Sequence, residues 1–272
     1  KSDITKWNIP WRWVIVGFIC AIAAVVFIFL KLANPAEIMR EMQDYPLQYL
    51  ALALGCVLLA WVVDGIRIYT LSLPTGGSIP LPVLTITLIA ANFLTLITPF
   101  AAGGAPLVIF MLYRHKMSIG QASGIVLGGG LAAQLGLFTL VSFVINNMPV
   151  IPSELVSSYR YLKIGIFTYG LVIISVTVFL SRGKNLDRFF RKYKNAETWI
   201  RTFSTTIRAL MSSRGKYFLG GALAGMIYFG LCYLAGFFLL VGFDPKQGFT
   251  FAKYGLAVII GVAPLLSPIP GG

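Results

Sequence analysis

Charged residues, histidine and cysteine are scarce in this chain. Of its 272 residues only 11% are charged, nine are acidic, one is histidine and three are cysteine, while 57% are hydrophobic. A soluble domain is about half apolar, and a mean hydropathy of +0.83 is far above that class, which excludes an ordinary soluble protein. Cys20, Cys56 and Cys232 stand singly within apolar runs, which excludes metal-ligand spacing and a disulfide framework.

The residue patterns of common active sites are missing as well. The sequence contains no P-loop, no dinucleotide fingerprint and no Ser/His/Asp grouping, so it predicts no site for ATP use or hydrolysis, no metal and no cofactor. The single histidine, His115, lies between Arg114 and Lys116 at an expected membrane edge. We interpret these three residues as a solvated basic cluster rather than as the surroundings of a catalytic base.

Long apolar runs are what the chain has in abundance. Crossing about 30 Å of hydrocarbon takes about 20 helical residues. Five runs approach or exceed that length, at residues 13–30, 47–71, 119–145, 161–180 and 217–241, and two more, 80–99 and 248–266, end in helix breakers. The first run is interpreted as a retained span rather than a signal peptide. Because the runs are continuous rather than alternating, the sequence predicts an all-α, polytopic integral membrane protein with one domain over residues 1–272.

The distribution of the basic residues predicts the orientation. The formal net charge is +13, and residues 182–216 carry ten basic residues against two acidic ones. Under the positive-inside bias this loop and the basic N-terminus are cytoplasmic, in a multi-pass protein of the cell membrane. In a chain of this class the positive charge indicates anionic lipid rather than nucleic acid as the partner.

The same basic loop has an amphipathic pattern. Phe189, Tyr193, Ile200, Phe203, Ile207 and Leu210 recur mostly at three- and four-residue steps, with Arg and Lys between them. This pattern favours a helix that lies on an anionic leaflet with its apolar face in the lipid. The alternative is a solvated loop that only obeys the positive-inside bias.

The segment "ITPFAAGGAP", Ile97 to Pro106, places helix breakers at the end of an apolar run. Only about ten residues, or about 15 Å of helix, separate Gly104 from Tyr113, which is too short to cross the bilayer. The sequence therefore predicts a re-entrant half-helix whose turn borders a protein-lined or water-filled cavity. We expect backbone N–H groups near Gly103 and Gly104 to contact a lipid phosphate. The candidate binding residues of this turn are Thr98, Pro99, Gly103, Gly104 and Pro106. An ordinary outside loop is the alternative.

The end of the sequence, "LLSPIPGG" from Leu265 to Gly272, repeats this arrangement. In both segments a hydroxyl residue precedes Pro, and a Gly pair follows. Corresponding broken segments in two halves are typical of inverted-repeat transporters with a site between the halves. The sequence thus predicts an inverted repeat with two broken helices, and it adds five candidate binding residues: Ser267, Pro268, Pro270, Gly271 and Gly272. The returning half-helix is expected in a C-terminal part that the sequence does not include.

Polar residues inside the apolar runs are further candidates for binding. Asp64 and Arg67 are three residues apart and share one helical face, where they form either a functional pair or a structural ion pair. Asn92 and Gln134 either face the cavity or hydrogen-bond between helices, and the second reading is favoured. Lys253 either binds a lipid phosphate or extends to the membrane surface, and the second reading is again favoured.

Small residues recur every four positions in the run 119–145. They are Gly120, Gly124, Gly128, Ala132 and Gly136. A stripe of this kind lets another backbone approach closely, so we interpret it as a packing surface. The alternative is that the re-entrant hairpin lies on this stripe and slides along it.

The segment "TPFAAGGAPLVIFMLYRHKMSIGQASGIVLGGG" resembles the first signature of the flippase-like family, the transmembrane region of lysylphosphatidylglycerol synthases and their stand-alone relatives. "SPIPGG" is similar to the start of the second signature, while Ala105 and Val108 depart from the usual pattern. The resemblance implies a flippase that moves an anionic or aminoacylated phospholipid, or a polyprenyl-phosphate-linked lipid, between leaflets. Membrane lipid is the expected partner, and self-association stays open.

The acyltransferase domain of the bifunctional synthases has no counterpart here, because the longest polar stretch, residues 181–216, is too short to form it. We therefore do not expect enzyme activity. The alternatives left open are a lipid-modifying enzyme or its accessory subunit, of the phosphatidylglycerol lysyltransferase type, and a small-solute transporter.

Overall fold

The computed structural model describes Gln43 and residues 45–76, 79–98, 103–146, 156–181, 197–212 and 215–243. Every regular element in these ranges is helical and none is a strand, which confirms the predicted all-α class. The helices are α1 (Leu47–Ser72), α2 (Leu81–Ile97), α3 (Gly104–Arg114), α4 (Ile119–Asn146), α5 (Val156–Ser181), α6 (Glu197–Ser212) and α7 (Lys216–Phe243), and a short 3-10 turn, Leu73–Thr75, follows α1.

Three of these helices are long and apolar enough to cross a membrane. They are α1 with its 3-10 turn, α4 and α7. The 26-residue α5 covers the fourth predicted run, residues 161–180. Large apolar side chains such as Leu58, Phe167 and Leu219 are at least half exposed on the outer faces of the bundle, where the hydrocarbon of a bilayer would cover them. The helical membrane architecture is therefore confirmed, while runs 13–30 and 248–266 lie outside the described residues.

Helices α1 and α7 pack antiparallel along their length. Before α1, the hydroxyl of Tyr45 donates a hydrogen bond of 2.9 Å to the carbonyl oxygen of Leu239 near the end of α7. At the other end of the pair, the side chain of Leu71 lies against Gly221 near the start of α7. These contacts fix the register of the two helices at both ends.

Helices α4 and α7 cross at small residues. A Cβ atom at Gly225 of α7 would lie 2.8 Å from the Cα of Ala133, and one at Gly136 of α4 would lie 3.0 Å from the carbonyl carbon of Gly225. Such distances occur only when two backbones touch, so any side chain larger than hydrogen would separate the helices. Gly136, from the predicted small-residue stripe, therefore packs against α7.

The first three glycines of the stripe form the surface on which α6 lies. A Cβ atom at Gly120 would lie 2.7 Å from the carbonyl oxygen of Trp199, and one at Gly124 would lie 2.9 Å from the Cβ of Thr206. At Gly128 the nearest atom is Cδ1 of Leu210, at 2.7 Å. The packing interpretation of these glycines is correct. The sliding-hairpin alternative is wrong, because the nearest atoms belong to α6 and not to the hairpin.

This packing also corrects the predicted role of the amphipathic loop. The described part of the pattern is a helix, as predicted, but its apolar residues are buried inside the protein. Ile200 and Phe203 are at most 7% exposed, and Ile207 and Leu210 are fully buried in the main hydrophobic core. An amphipathic pattern shows that a helix has an apolar face, but α4 rather than lipid covers that face here. Phe189 and Tyr193 lie outside the described residues.

We expect Gly120→Val to displace α6 and to destabilise the protein by about 1–3 kcal/mol, the usual cost of overpacking. The new side chain would meet the backbone of Trp199, which cannot move aside as a flexible side chain would. Thermal unfolding in detergent measures the effect. Gly130→Val is the matched control, because a Cβ atom at Gly130 has no neighbour within 4 Å. Equal unfolding temperatures for the two variants would contradict the proposed contact.

Candidate functional site

The predicted half-helix is present as α3, the second arm of an α2–α3 hairpin. Helix α2 has 17 residues and α3 has 11, or about 25 and 16 Å. Gly76, before α2, and Met117, after α3, line one cleft. The hairpin therefore leaves one end of the bundle and returns to it. Only the final residue, Arg114, extends α3 beyond the predicted end.

Thr98 and Gly104 hold the two arms together at the turn. The hydroxyl of Thr98 donates a 2.6 Å hydrogen bond to the carbonyl oxygen of Leu94 and accepts one of 2.9 Å from the N–H of Gly103. Gly104 is buried against α2, where a Cβ atom would lie 2.7 Å from the carbonyl oxygen of Ala91. Only glycine permits this approach, so α3 starts where its backbone touches α2.

The hydrogen bond from Gly103 corrects one expectation about this turn. Its N–H group is already paired and cannot contact a lipid phosphate. The first N–H groups of a helix have no partner within that helix, and in α3 they include those of Gly104 and Ala105. Pro106 is exposed in the first turn of α3, where its missing N–H costs no helical hydrogen bond. Pro99 lies outside the described residues.

Asp64 and Arg67 form an ion pair inside the helix bundle, as their three-residue spacing predicts. Arg67 Nη2 lies 2.7 Å from Asp64 Oδ1, and the two side chains are only 12% and 5% exposed. A second guanidinium nitrogen, Nη1, donates to the carbonyl oxygen of Gly129 on α4. The pair thus links α1 to the backbone of α4. This arrangement satisfies both charges away from water, which a buried ion pair requires.

Two polar side chains of α7 complete this intramembrane cluster. Tyr228 and Cys232 lie one helical turn apart on α7 and within electrostatic range of Asp64. Among the residues that the structure describes, no three side chains of His, Cys, Asp or Glu are placed to hold a metal ion. The ion pair, Tyr228 and Cys232 form a polar junction of α1, α4 and α7.

Among the remaining candidates within the spans, the helix-joining contact of Gln134 is confirmed, and the roles of the others stay predictions. The hydroxyl of Tyr169 on α5 donates a 2.6 Å hydrogen bond to Oε1 of Gln134, which confirms that Gln134 joins two helices. Asn92 is half-buried on α2, and its place at a cavity stays a prediction. Lys253 and the second broken segment, with Ser267, Pro268, Pro270, Gly271 and Gly272, lie outside the described residues. The same holds for the predicted meeting of the two turns.

A model of the family described as "Lysylphosphatidylglycerol synthase TM region" matches residues 14–272. The chain belongs to this family. A search of curated proteins and a search of solved structures gave no significant match. Membership in the lysylphosphatidylglycerol synthase transmembrane family confirms the resemblance found from the first broken segment, and it places the chain among membrane proteins connected with lipid metabolism.

For this member of the family, one feature of the hairpin was not predicted from sequence. Helix α3 ends in a Schellman motif, in which the N–H of Met117 bonds the carbonyl oxygen of Leu112 and the N–H of Lys116 bonds that of Tyr113. Lys116 takes the left-handed conformation there, with φ of 67°. Glycine usually fills this position, and another residue costs about 1–2 kcal/mol. No local sequence signal identifies Lys116 as left-handed, because glycine is the usual marker.

Proposed function

We propose that this chain moves an anionic or aminoacylated phospholipid, or a polyprenyl-phosphate-linked lipid, between the two leaflets of the membrane. The α2–α3 hairpin is the observation that carries the proposal. A helix about 16 Å long is too short to cross about 30 Å of hydrocarbon. If α3 returns to the membrane face from which α2 starts, its first turn lies within the membrane. Broken backbone is tolerated at that depth only beside protein or a water-filled cavity.

The proposed route takes the headgroup past the turn while the acyl chains stay in the lipid. The N–H groups of Gly104 and Ala105 point out of the start of α3, and the helix dipole gives this end a partial positive charge. Both features favour a phosphate. Thr98 and Gly103 hold the turn through their hydrogen bond, and Gly104 holds α3 against α2. The sequence contains no ATP-binding motif, so we expect movement to follow a gradient.

The orientation follows from the basic end of the bundle. Arg114 at the end of α3, Lys116 just after it, Arg201 on α6 and Lys216 at the start of α7 lie at this end, and under the positive-inside bias we expect it to face the cytoplasm. Each basic residue near an anionic leaflet contributes about 1 kcal/mol of attraction, so this surface would concentrate anionic lipid beside the hairpin.

Cysteine labelling tests the orientation. Thr75 and Lys116 lie on either side of the hairpin, and both line one cleft, so they face the same side of the membrane. Single cysteines at these positions, in a background without Cys20, Cys56 and Cys232, should react with an impermeant reagent only from the cytoplasm. Reaction of either position from outside would contradict the proposed orientation.

Reconstitution in liposomes tests the function itself. We expect the chain to accelerate the exchange of labelled phosphatidylglycerol between leaflets, and to accelerate that of phosphatidylcholine much less. A lipid-modifying enzyme or its accessory subunit would instead give a changed lipid, or no exchange. A small-solute transporter would leave both lipids in place.

A further inference from the structure

A cleft at the basic end of the bundle has no part in the proposed route past the turn. Its volume is about 480 Å³, and it lies where the residues after α1 meet the connection between α3 and α4. Arg114, His115 and Lys116 line the cleft together with Gly76 and Gln121. None of the described residues that line it is acidic. Three consecutive basic residues, 114–116, therefore contribute to one concave surface.

We propose that this cleft binds the phosphate group of an anionic ligand, supplied either by a lipid headgroup or by free phosphate. A phosphate group offers several acceptor oxygens and negative charge, which match converging cations and N–H donors. The proposal rests on the cleft alone and does not require that the chain moves lipid. Arg114 and Lys116 are exposed and His115 is half-buried, as the predicted solvated cluster requires, so the ligand would replace solvent there.

Two neutral contacts orient the donors of the cleft. The side-chain oxygen of Gln121 accepts a 2.9 Å hydrogen bond from the N–H of Ser118, while the N–H of Gln121 donates back to the Ser118 hydroxyl. This reciprocal capping box fixes the side chain and leaves its NH2 group for a ligand. His115 Nδ1 lies 2.9 Å from the carbonyl oxygen of Met111. We therefore assign a proton to Nδ1, and Nε2 can donate to a phosphate oxygen only when the ring carries both protons.

The backbone of Lys116 is the second observation that favours a ligand. Glycine would end α3 in the left-handed conformation without strain, yet the chain has a lysine there. Residues held in such conformations cluster at functional sites, where the surrounding structure maintains the strain. Helix termination alone favours glycine at this position. A lysine is explained if its ammonium group binds the ligand of the cleft.

Other basic residues at the same end are arranged differently. Arg201 is exposed on α6 and does not line the cleft. Lys216 places its ammonium group 4.9 Å from the centre of the Tyr217 ring. Arg114 makes a similar contact, with its guanidinium carbon 5.9 Å from the centre of the Phe110 ring, but unlike Lys216 it also lines the cleft. The positive-inside bias accounts for Arg201 and Lys216 but not for a cleft lined by residues 114–116. Arg201 is therefore a suitable control of equal charge.

Binding to the purified full chain in a zwitterionic detergent tests the proposal. Calorimetric titrations with dihexanoyl phosphatidylglycerol and with inorganic phosphate should give saturable binding to at least one probe, and the tighter probe identifies the source of the phosphate. We expect Arg114→Gln and Lys116→Gly each to weaken binding about fivefold, and Arg201→Gln to change it less than about twofold. Lys116→Gly should also raise the apparent melting temperature, because it removes the strained conformation.

The two effects expected for Lys116→Gly, weaker binding and a higher melting temperature, distinguish a loss of affinity from a loss of folding. A variant that is more stable but binds less tightly cannot have lost affinity through unfolding. Unchanged binding by Lys116→Gly and Arg114→Gln would overturn the proposal. So would an equal loss in Arg201→Gln, which would indicate diffuse attraction to a basic surface, or the absence of saturable binding by either probe.

Discussion

The Gly104→Val variant is expected to stop lipid movement while the protein remains inserted in the membrane. A valine side chain would collide with the carbonyl oxygen of Ala91, which lies 2.7 Å from the position of a Cβ atom. Because the collision is with the backbone of α2, the start of α3 must move away from it. Overpacking of this kind costs about 1–3 kcal/mol, too little to prevent insertion but enough to shift the turn. Exchange of labelled phosphatidylglycerol in proteoliposomes measures the loss.

Gly55→Val supplies the matched control for this variant. Gly55 lies on α1, and a Cβ atom there has no neighbour within 4 Å. The same chemical change should therefore leave lipid exchange near the wild-type rate.

The Gly103→Val variant should resemble Gly104→Val, because a Cβ atom at Gly103 would lie 2.8 Å from Cγ2 of Thr98. If both hairpin variants exchange lipid normally, the turn is only a connecting loop.

The Asp64→Ala variant is expected to lose about 3–5 kcal/mol of stability, the usual cost of leaving one partner of a buried ion pair alone. Arg67 would keep its contact with the carbonyl oxygen of Gly129 but would have no anion beside it in a bundle that excludes water. The unpaired charge of Arg67 is energetically unfavourable at membrane depth, so the junction of α1 and α4 should loosen. Thermal unfolding in detergent measures the change, and a stability equal to wild type would contradict the expected role of the pair.

The double variant Asp64→Leu/Arg67→Met separates a structural pair from a functional one. Replacing both charges by apolar side chains of similar size removes the unpaired cation, so we expect much of the lost stability to return. If lipid exchange returns with stability, the pair serves to hold the helices together. If stability returns without exchange, the charges themselves take part in transport.

The hairpin was predictable because its signals are local. A Gly pair marks the start of α3, and Arg114 falls one residue beyond the predicted end. The roles of Thr98 and Gly104 in joining α2 to α3 were less accessible, since they depend on how the two arms approach each other in space. A short sequence shows where a helix breaks but not which atoms hold the broken ends together.

The contacts between the other helices were also only partly predictable from the sequence. The three-residue spacing of Asp64 and Arg67 predicted their pairing, whereas the carbonyl group of Gly129 comes from another helix and has no sequence signal. The period of the apolar residues in α6 predicted a buried face. The predicted cover, the lipid of an anionic leaflet, was wrong, because the period of apolar residues cannot distinguish lipid from protein. Only the glycines of α4 indicated that another helix backbone packs closely against it.

The exchange rate of labelled phosphatidylglycerol in liposomes that contain the wild-type chain decides whether this protein moves lipid. Liposomes without protein, and liposomes with the Gly104→Val variant at the same protein-to-lipid ratio, provide the background. We expect the wild-type chain to carry label from the inner to the outer leaflet faster than both, without added ATP. Equal rates in all three preparations, with the wild-type chain shown to be folded, would contradict the proposed lipid transport.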